Sequence, residues 1–118
     1  MRFTCIEQAI EEFASFTEAK ATCTTARDDH RLYARMDKAV KYLAAMGDEG
    51  RSAFEQLLFH ASPHVRCWVA AELLSRGQLQ AKNVLEELHQ SGGPASFDAE
   101  ITLREHAAGK LGSPFPTK

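Results

Sequence analysis

The chain has 118 residues, and its five histidines and three cysteines are the residues best suited to metal-binding or nucleophilic chemistry. His60 and His64 stand four residues apart, a spacing that places two imidazoles on one face of a continuous helix and lets them share a metal ion. Ser62 and Pro63 lie between them, however, and this pair is typical of a helix start. We therefore expect the helix to be interrupted there, and we predict no metal site and no cofactor.

The cysteines show no redox or zinc-binding pattern. Cys5, Cys23 and Cys67 are odd in number, and no two of them have the Cys-x-x-Cys spacing. This argues against a disulfide framework and favours a reducing compartment. Cys67 lies at the edge of an apolar helix face, where we expect it to be a small buried hydrophobe. Since the sequence also has no phosphate loop, nucleophile elbow or zinc-protease helix, we predict that the protein is not an enzyme.

The composition is typical of a globular domain, with 44% hydrophobic and 25% charged residues. The net charge of −2 gives no basic face for a phosphate backbone, so we expect no nucleic-acid partner. Acidic residues interrupt the N-terminal apolar residues, which argues against a signal peptide. No apolar run approaches the roughly 20 residues that a membrane span requires. These features predict a cytoplasmic protein that does not enter a membrane.

Apolar residues recur at helical spacing in six segments, which predicts an all-α fold with no strand. The first helix begins near Phe3 and stops at the "TCTTARDD" cluster, whose side chains favour a new helix cap. The others are predicted at about 28–46, 51–60, 63–76, 80–90 and 98–111. "GDEG" (47–50) and "SGGPAS" (91–96) separate helices. Six helices with short connections make three helical hairpins, a single domain over 1–111 followed by a tail at 112–118.

One residue order occurs twice, in "VRCWVAAEL" (65–73) and in "LREHAAGKL" (103–111). On a helical wheel the shared positions form a wide apolar arc, as expected for a helix packed between neighbours. Arg66 and Arg104 fall inside this arc, where a charge must be paired or must extend along its stem to water. We expect both to be structural, each bonding an adjacent helix end or a carboxylate. Binding of an anion is the alternative.

The positions that differ between the two copies lie on the remaining arc. His64, Trp68 and Glu72 stand there in the first copy, and His106 and Lys110 are their counterparts in the second. We predict that these five residues form a partner-binding ridge anchored by Trp68, because tryptophan is the residue most enriched at binding hot spots. The alternative is that Trp68 packs beneath a neighbouring hairpin or the tail, for example against Phe115.

The stretch "SPHVRCWVAAELL" resembles the second helix of a HEAT-type repeat. More widely, residues 3–111 resemble a bacterial family of short HEAT-like proteins that is classed as a domain of unknown function. The matching stretches are "HRLYARMDKAVKYLAAMGDEGRSAFEQLLFHASPHVRCWVAAELL" and the more particular "FDAEITLREHAAGKL". The resemblance implies a short α-solenoid of about three hairpins without known catalytic residues. It also implies, for members encoded beside secreted toxins, a role as immunity proteins.

The prediction for function is therefore a non-enzymatic, protein-binding module, most concretely a cytoplasmic immunity protein that neutralises a bacterial toxin by direct binding. Its partner would be a toxin or effector domain, and the protein itself a monomer or a homodimer. A structural scaffold or adaptor is the first alternative. A nucleic-acid-binding HEAT-like module is the second, and the near-neutral charge speaks against it.

Overall fold

The structure is a computed structural model that describes residues 3–116, and every regular element in that range is helical. The all-α prediction is therefore confirmed. The six α-helices and one short 3₁₀ turn are α1 (Ile6–Thr22), α2 (Ala26–Ala45), α3 (Gly47–Gln56), the 3₁₀ turn (Leu57–Phe59), α4 (Pro63–Ser75), α5 (Gln80–Ser91) and α6 (Ser96–Ala107). None of the helices described is long and apolar enough to cross a bilayer. The chain divides into two compact units, Met1–Gln56 and Leu57–Lys118.

The first unit contains α1, α2 and α3. Helix α1 ends at the predicted cluster, and Thr25 caps α2 by accepting a hydrogen bond from the Asp28 N–H at 3.1 Å. The core includes Phe13, whose ring meets that of Phe54 edge-on at 5.6 Å between centroids. Beside the α1–α2 connection, Lys20 Nζ lies 2.7 Å from an oxygen of Asp29, and this interaction lowers the pKa of that carboxyl.

The prediction that the "GDEG" segment (47–50) separates two helices is only partly correct. Only Gly47 turns the chain, with a φ of +71° that favours glycine, and α3 begins at that residue. Gly50 lies inside α3 and is buried. A methyl group there would overlap the carbonyl oxygen of Leu43 in α2. Gly50 therefore permits a close approach of α2 and α3.

The start of α4 is as predicted. Ser62 is the N-cap and accepts a hydrogen bond from the Val65 N–H at 3.5 Å, while Pro63 is the first helical residue. His60 lies outside the helix, and its Nδ1 accepts a hydrogen bond from the Ser62 N–H at 3.0 Å. The two histidines four residues apart thus lie on different elements and do not share a helix face.

In the second unit α4 packs against the 3₁₀ turn, α5 and α6. Val65, Val69, Ala70 and Leu73 are fully or almost fully buried, as the wide apolar arc predicted. The second copy of the pattern is less buried than the first. Its residues Leu103 and Leu111 are half-buried, and Ala107 and Ala108 are exposed. Helix α6 also ends at Ala107, before the pattern is complete. The repeated order therefore does not produce a second buried helix.

Replacing Gly50 by alanine should destabilise the protein by about 2 kcal/mol, since the added methyl overlaps the Leu43 carbonyl and forces α2 and α3 apart. Urea unfolding followed by circular dichroism measures the change. Gly112→Ala is the control, because Gly112 has open space around its Cα and no left-handed backbone. Helix propensity alone makes the opposite prediction, a more stable Gly50→Ala protein, and that result would contradict the close approach.

Candidate functional site

Trp68 packs against the C-terminal tail. Its ring lies 5.4 Å from that of Phe115, centroid to centroid, with a tilt of 38° between planes. Phe115 is buried at 3% exposure, and Trp68 is half-buried. Packing of Trp68 against the tail is the alternative that the sequence left open to a role of Trp68 as the anchor for a partner. The segment predicted as a tail is thus part of the second unit and covers one side of α4.

Glu72 is not the exposed ridge residue that we expected. It is 3% exposed, and its Oε2 accepts hydrogen bonds from Arg76, whose Nε lies at 2.6 Å. Its other oxygen accepts a hydrogen bond from the Ser113 hydroxyl. A buried carboxylate requires such partners. Glu72 therefore links α4 to the tail, and the same tail that covers Trp68 also satisfies Glu72.

The other predicted ridge residues are nearer to solvent. His64 and His106 are half-buried, and Lys110 is exposed and lies beyond the end of α6. Arg104 was expected inside an apolar arc, but its side chain is 75% exposed and pairs with Glu100 on its own helix at 2.5 Å. The structure thus brings Trp68 and Glu72 together through the tail. It remains a prediction that a partner binds His64, His106 and Lys110.

Arg66 differs from Arg104 in its surroundings. It is half-buried, and its Nε is fully buried with no hydrogen-bond acceptor within residues 3–116. The predicted bond to a helix end or carboxylate is therefore not found in the described part of the chain. Nearly all buried polar groups in proteins have a partner, so an unsatisfied guanidinium nitrogen is an unusual feature that calls for an explanation.

Arg66 lines a cleft of about 400 Å³ in the second unit. The 3₁₀ turn contributes Leu58 and Phe59 to its wall. Helix α5 contributes the four residues at spacings 0, 3, 4 and 7 that share one helix face, namely Val84, Glu87, Leu88 and Ser91. Apolar side chains with a few polar groups, in a volume of roughly 300–1,000 Å³, are the usual properties of a ligand site. We call this site the Arg66 cleft.

Phe59 was not among the residues predicted to bind a partner. It is 79% exposed although it lines the Arg66 cleft, so it stands at the rim. One signal in the sequence could have identified it. Leu57, Leu58 and Phe59 are three consecutive large apolar residues, and a helix cannot turn all three to the same side. Leu57 and Leu58 are buried, and Phe59 is left outside.

A smaller cleft in the first unit has a basic lining. It measures about 190 Å³, and Arg31, Arg35 and Lys38 contribute to it from one side of α2. Phe3, Phe16 and Ala34 form the rest of the wall, and the Arg35 guanidinium carbon lies 5.4 Å from the centroid of the Phe16 ring. Arg31 also forms an ion pair with Asp28 at 3.5 Å. The structure therefore places three cationic side chains around one cleft, although the net charge of the chain is −2.

Cys67 is buried at 6% exposure, as predicted. Burial raises the pKa of its thiol to about 12, and the charge of Asp98 contributes in the same direction. The thiolate is the reactive form of cysteine. Cys67 is therefore held in its neutral, unreactive form at physiological pH. No group of three or more potential metal-binding side chains occurs in the part of the chain that the structure describes.

Comparison of the chain with models of known protein families, with curated proteins and with solved structures finds no match.

Phe115→Ala should release the tail from α4, lower stability by about 3 kcal/mol and expose Trp68 to water. Trp68 is the only tryptophan, so its fluorescence reports this contact directly, and we expect a red-shifted emission. Phe97→Ala is the matched control, because Phe97 is 69% exposed and should affect neither quantity. Unchanged emission and stability in Phe115→Ala would show that Trp68 does not depend on the tail.

The thiol of Cys67 should not react with Ellman's reagent at pH 8 while the protein is folded. A variant with Cys5→Ser and Cys23→Ser leaves Cys67 as the only reporter. We expect its reaction only when denaturant unfolds the chain. Because the folded pKa is raised from 9.0 to about 12, the neutral thiol stabilises the fold below pH 9, and this contribution is lost as the pH rises toward 12. Rapid reaction of the folded variant would contradict the burial.

Proposed function

We propose that the protein is a protein-binding module whose second unit provides the contact surface. The observation that carries this proposal is the exposure of Phe59 at the rim of the Arg66 cleft. Exposed apolar side chains are common singly, but an aromatic one that borders a cleft beside a half-buried arginine has the composition of an interface hot spot. Leu79 and Phe97, at 64% and 69% exposure, add apolar surface in the same unit.

In its most specific form the proposal is a cytoplasmic immunity protein that binds a toxin domain and blocks it. This form is suggested by the resemblance of residues 3–111 to short HEAT-like proteins that the sequence indicates, and a solenoid of hairpins is proposed together with it. Such a protein requires a rigid surface and no catalytic group. The internal use of Glu72 and the packing of Trp68 move the proposed anchor from Trp68 to Phe59.

Nucleic-acid binding is a second candidate, favoured by the basic cleft of the first unit. Aromatic rings and cations together can hold a single strand by stacking and by phosphate contacts. Three cations are few for this purpose, since stable complexes neutralise more phosphates. Salt-sensitive binding of a single-stranded oligonucleotide would favour this candidate over a protein partner.

The immunity proposal is tested by co-expressing the protein with the product of the neighbouring gene, which the proposal expects to be a toxin. We expect rescue of growth and a complex that survives purification. Phe59→Ser should weaken the complex by about 2 kcal/mol, or roughly thirtyfold in Kd, because it removes an aromatic anchor. Isothermal titration calorimetry with the purified, inactivated toxin domain measures this change.

Met46→Ser is the control for this experiment. Met46 is also an exposed apolar residue, at 44%, but it belongs to the first unit. Its substitution should leave both rescue and affinity unchanged. Absence of rescue together with absence of a complex would contradict the immunity role. A stable complex without any effect on growth would instead indicate the scaffold or adaptor alternative.

A further inference from the structure

We propose that helix α6 of one copy of the protein docks on the basic cleft in the first unit of a second copy. The basic cleft is the site lined by Phe3, Phe16, Arg31, Ala34, Arg35 and Lys38. The inference concerns self-association, so it goes beyond the proposed function and does not depend on it.

Helix α6 carries exposed apolar side chains on its outer face. Phe97 is 69% exposed and Ile101 is 38% exposed. The two stand four residues apart and share one helix face, whereas Ala99, two residues from each, is buried on the opposite face. Adjoining apolar side chains on one exposed face mark an interaction site more often than a single exposed residue does. We call this pair the α6 patch.

Two carboxylates flank the α6 patch on one side. Asp98 and Glu105 are exposed, and neither forms an ion pair within residues 3–116. They stand seven residues apart, about 10 Å along the helix, and therefore lie on one line beside the patch. Glu100 and Arg104, on the other side, pair with each other at 2.5 Å, so their charges cancel. The outer face of α6 thus combines an apolar ridge with a line of negative charge.

The basic cleft has the complementary composition. Arg31 and Lys38 are exposed and also stand seven residues apart on one helix, so their charges are again separated by about 10 Å. Arg31 forms an ion pair with Asp28 at 3.5 Å, but both side chains are still about half exposed. No carboxylate lies among the described residues that line the cleft, and the ring of Phe16 belongs to its apolar wall. The cleft therefore suits an apolar group beside two anionic groups that are about 10 Å apart.

The outer face of α6 meets these requirements. The cleft measures about 190 Å³, less than the roughly 300–1,000 Å³ of a site for a drug-sized molecule, so it suits a single protruding side chain such as Phe97. Asp98 and Glu105 then meet the two exposed cations of the cleft. Opposite charges at equal spacing determine the register of such a contact and make it sensitive to salt. Because the two surfaces differ, the contact is heterologous, and every copy has both of them.

Sedimentation equilibrium of the full-length protein tests this contact, with a reducing agent present because the cysteines are free. We expect the weight-average mass to rise with protein concentration at about 50 mM salt and to fall toward the monomer value at about 1 M, where the Debye length is about 3 Å. Phe97→Ser should weaken the association about tenfold, because it removes the apolar anchor. Phe59→Ser is its control, since Phe59 is also exposed but lines the Arg66 cleft.

Charge reversal identifies the two surfaces. The α6 variant carries Asp98→Lys and Glu105→Lys, and the cleft variant carries Arg31→Glu and Lys38→Glu. Each variant alone should be monomeric, because its α6 and its cleft then carry charges of the same sign. An equimolar mixture of the two should associate again, since opposite charges meet in both contacts. Circular dichroism checks that both variants are folded.

Glu7→Lys combined with Glu11→Lys is the matched control for the α6 variant. It changes the net charge by the same amount on exposed positions of α1, and Glu7 lies in a first helical turn as Asp98 does. This control should associate as the wild-type protein does, and an equal loss of association would overturn the inference by showing that net charge alone decides.

Three other results would also overturn the inference, namely a monomer at every concentration, association that salt does not weaken, and a mixture of the two variants that stays monomeric. Salt-sensitive binding of a single-stranded oligonucleotide by a protein that remains monomeric would assign the basic cleft to nucleic acid instead, and would reject self-association.

Discussion

Helix α4 must be covered on nearly every side, and the second unit is organised around that requirement. Val65 is buried, and so are Cys67 and Leu74 on the opposite side of the helix, so α4 cannot lie at a surface as an ordinary amphipathic helix does. The 3₁₀ turn, α5 and α6 cover most of it. The remaining side holds Trp68 and Glu72, and it is covered by the tail. The tail, whose composition predicts no regular secondary structure, is therefore an integral part of the second unit.

The buried carboxylate of Glu72 explains why the tail has a defined position. An aromatic contact alone, such as that of Phe115 with Trp68, permits many orientations. A charged group that has left water permits few, because each oxygen needs a donor. Arg76 supplies one and Ser113 the other. The apolar contact thus contributes most of the driving force, while the hydrogen bonds determine which part of the tail lies on α4.

The periodicity of apolar residues was sufficient to predict the helices, and Ser62-Pro63 to predict where α4 begins. These signals are local, since a cap or an amphipathic face is decided by residues within a few turns. The burial of Glu72 was not predictable in this way, because its partner Ser113 is 41 residues away. The role of Gly50 was missed for the same reason, since it depends on the approach of α2. The Arg66 cleft likewise required knowing which residues of α5 face α4.

The contrast between Arg66 and Arg104 shows what a repeated sequence pattern can specify. Both follow a hydrophobic residue and stand four positions before an alanine, so the local pattern gives them equivalent positions. Arg104 lies on a helix with an exposed side, and a carboxylate one turn away satisfies it. Arg66 lies on a helix that is covered, and its own helix offers no such carboxylate one turn earlier, where Ser62 caps the chain. The same residue type is thus paired in one copy, whereas in the other its buried Nε has no acceptor among the residues described.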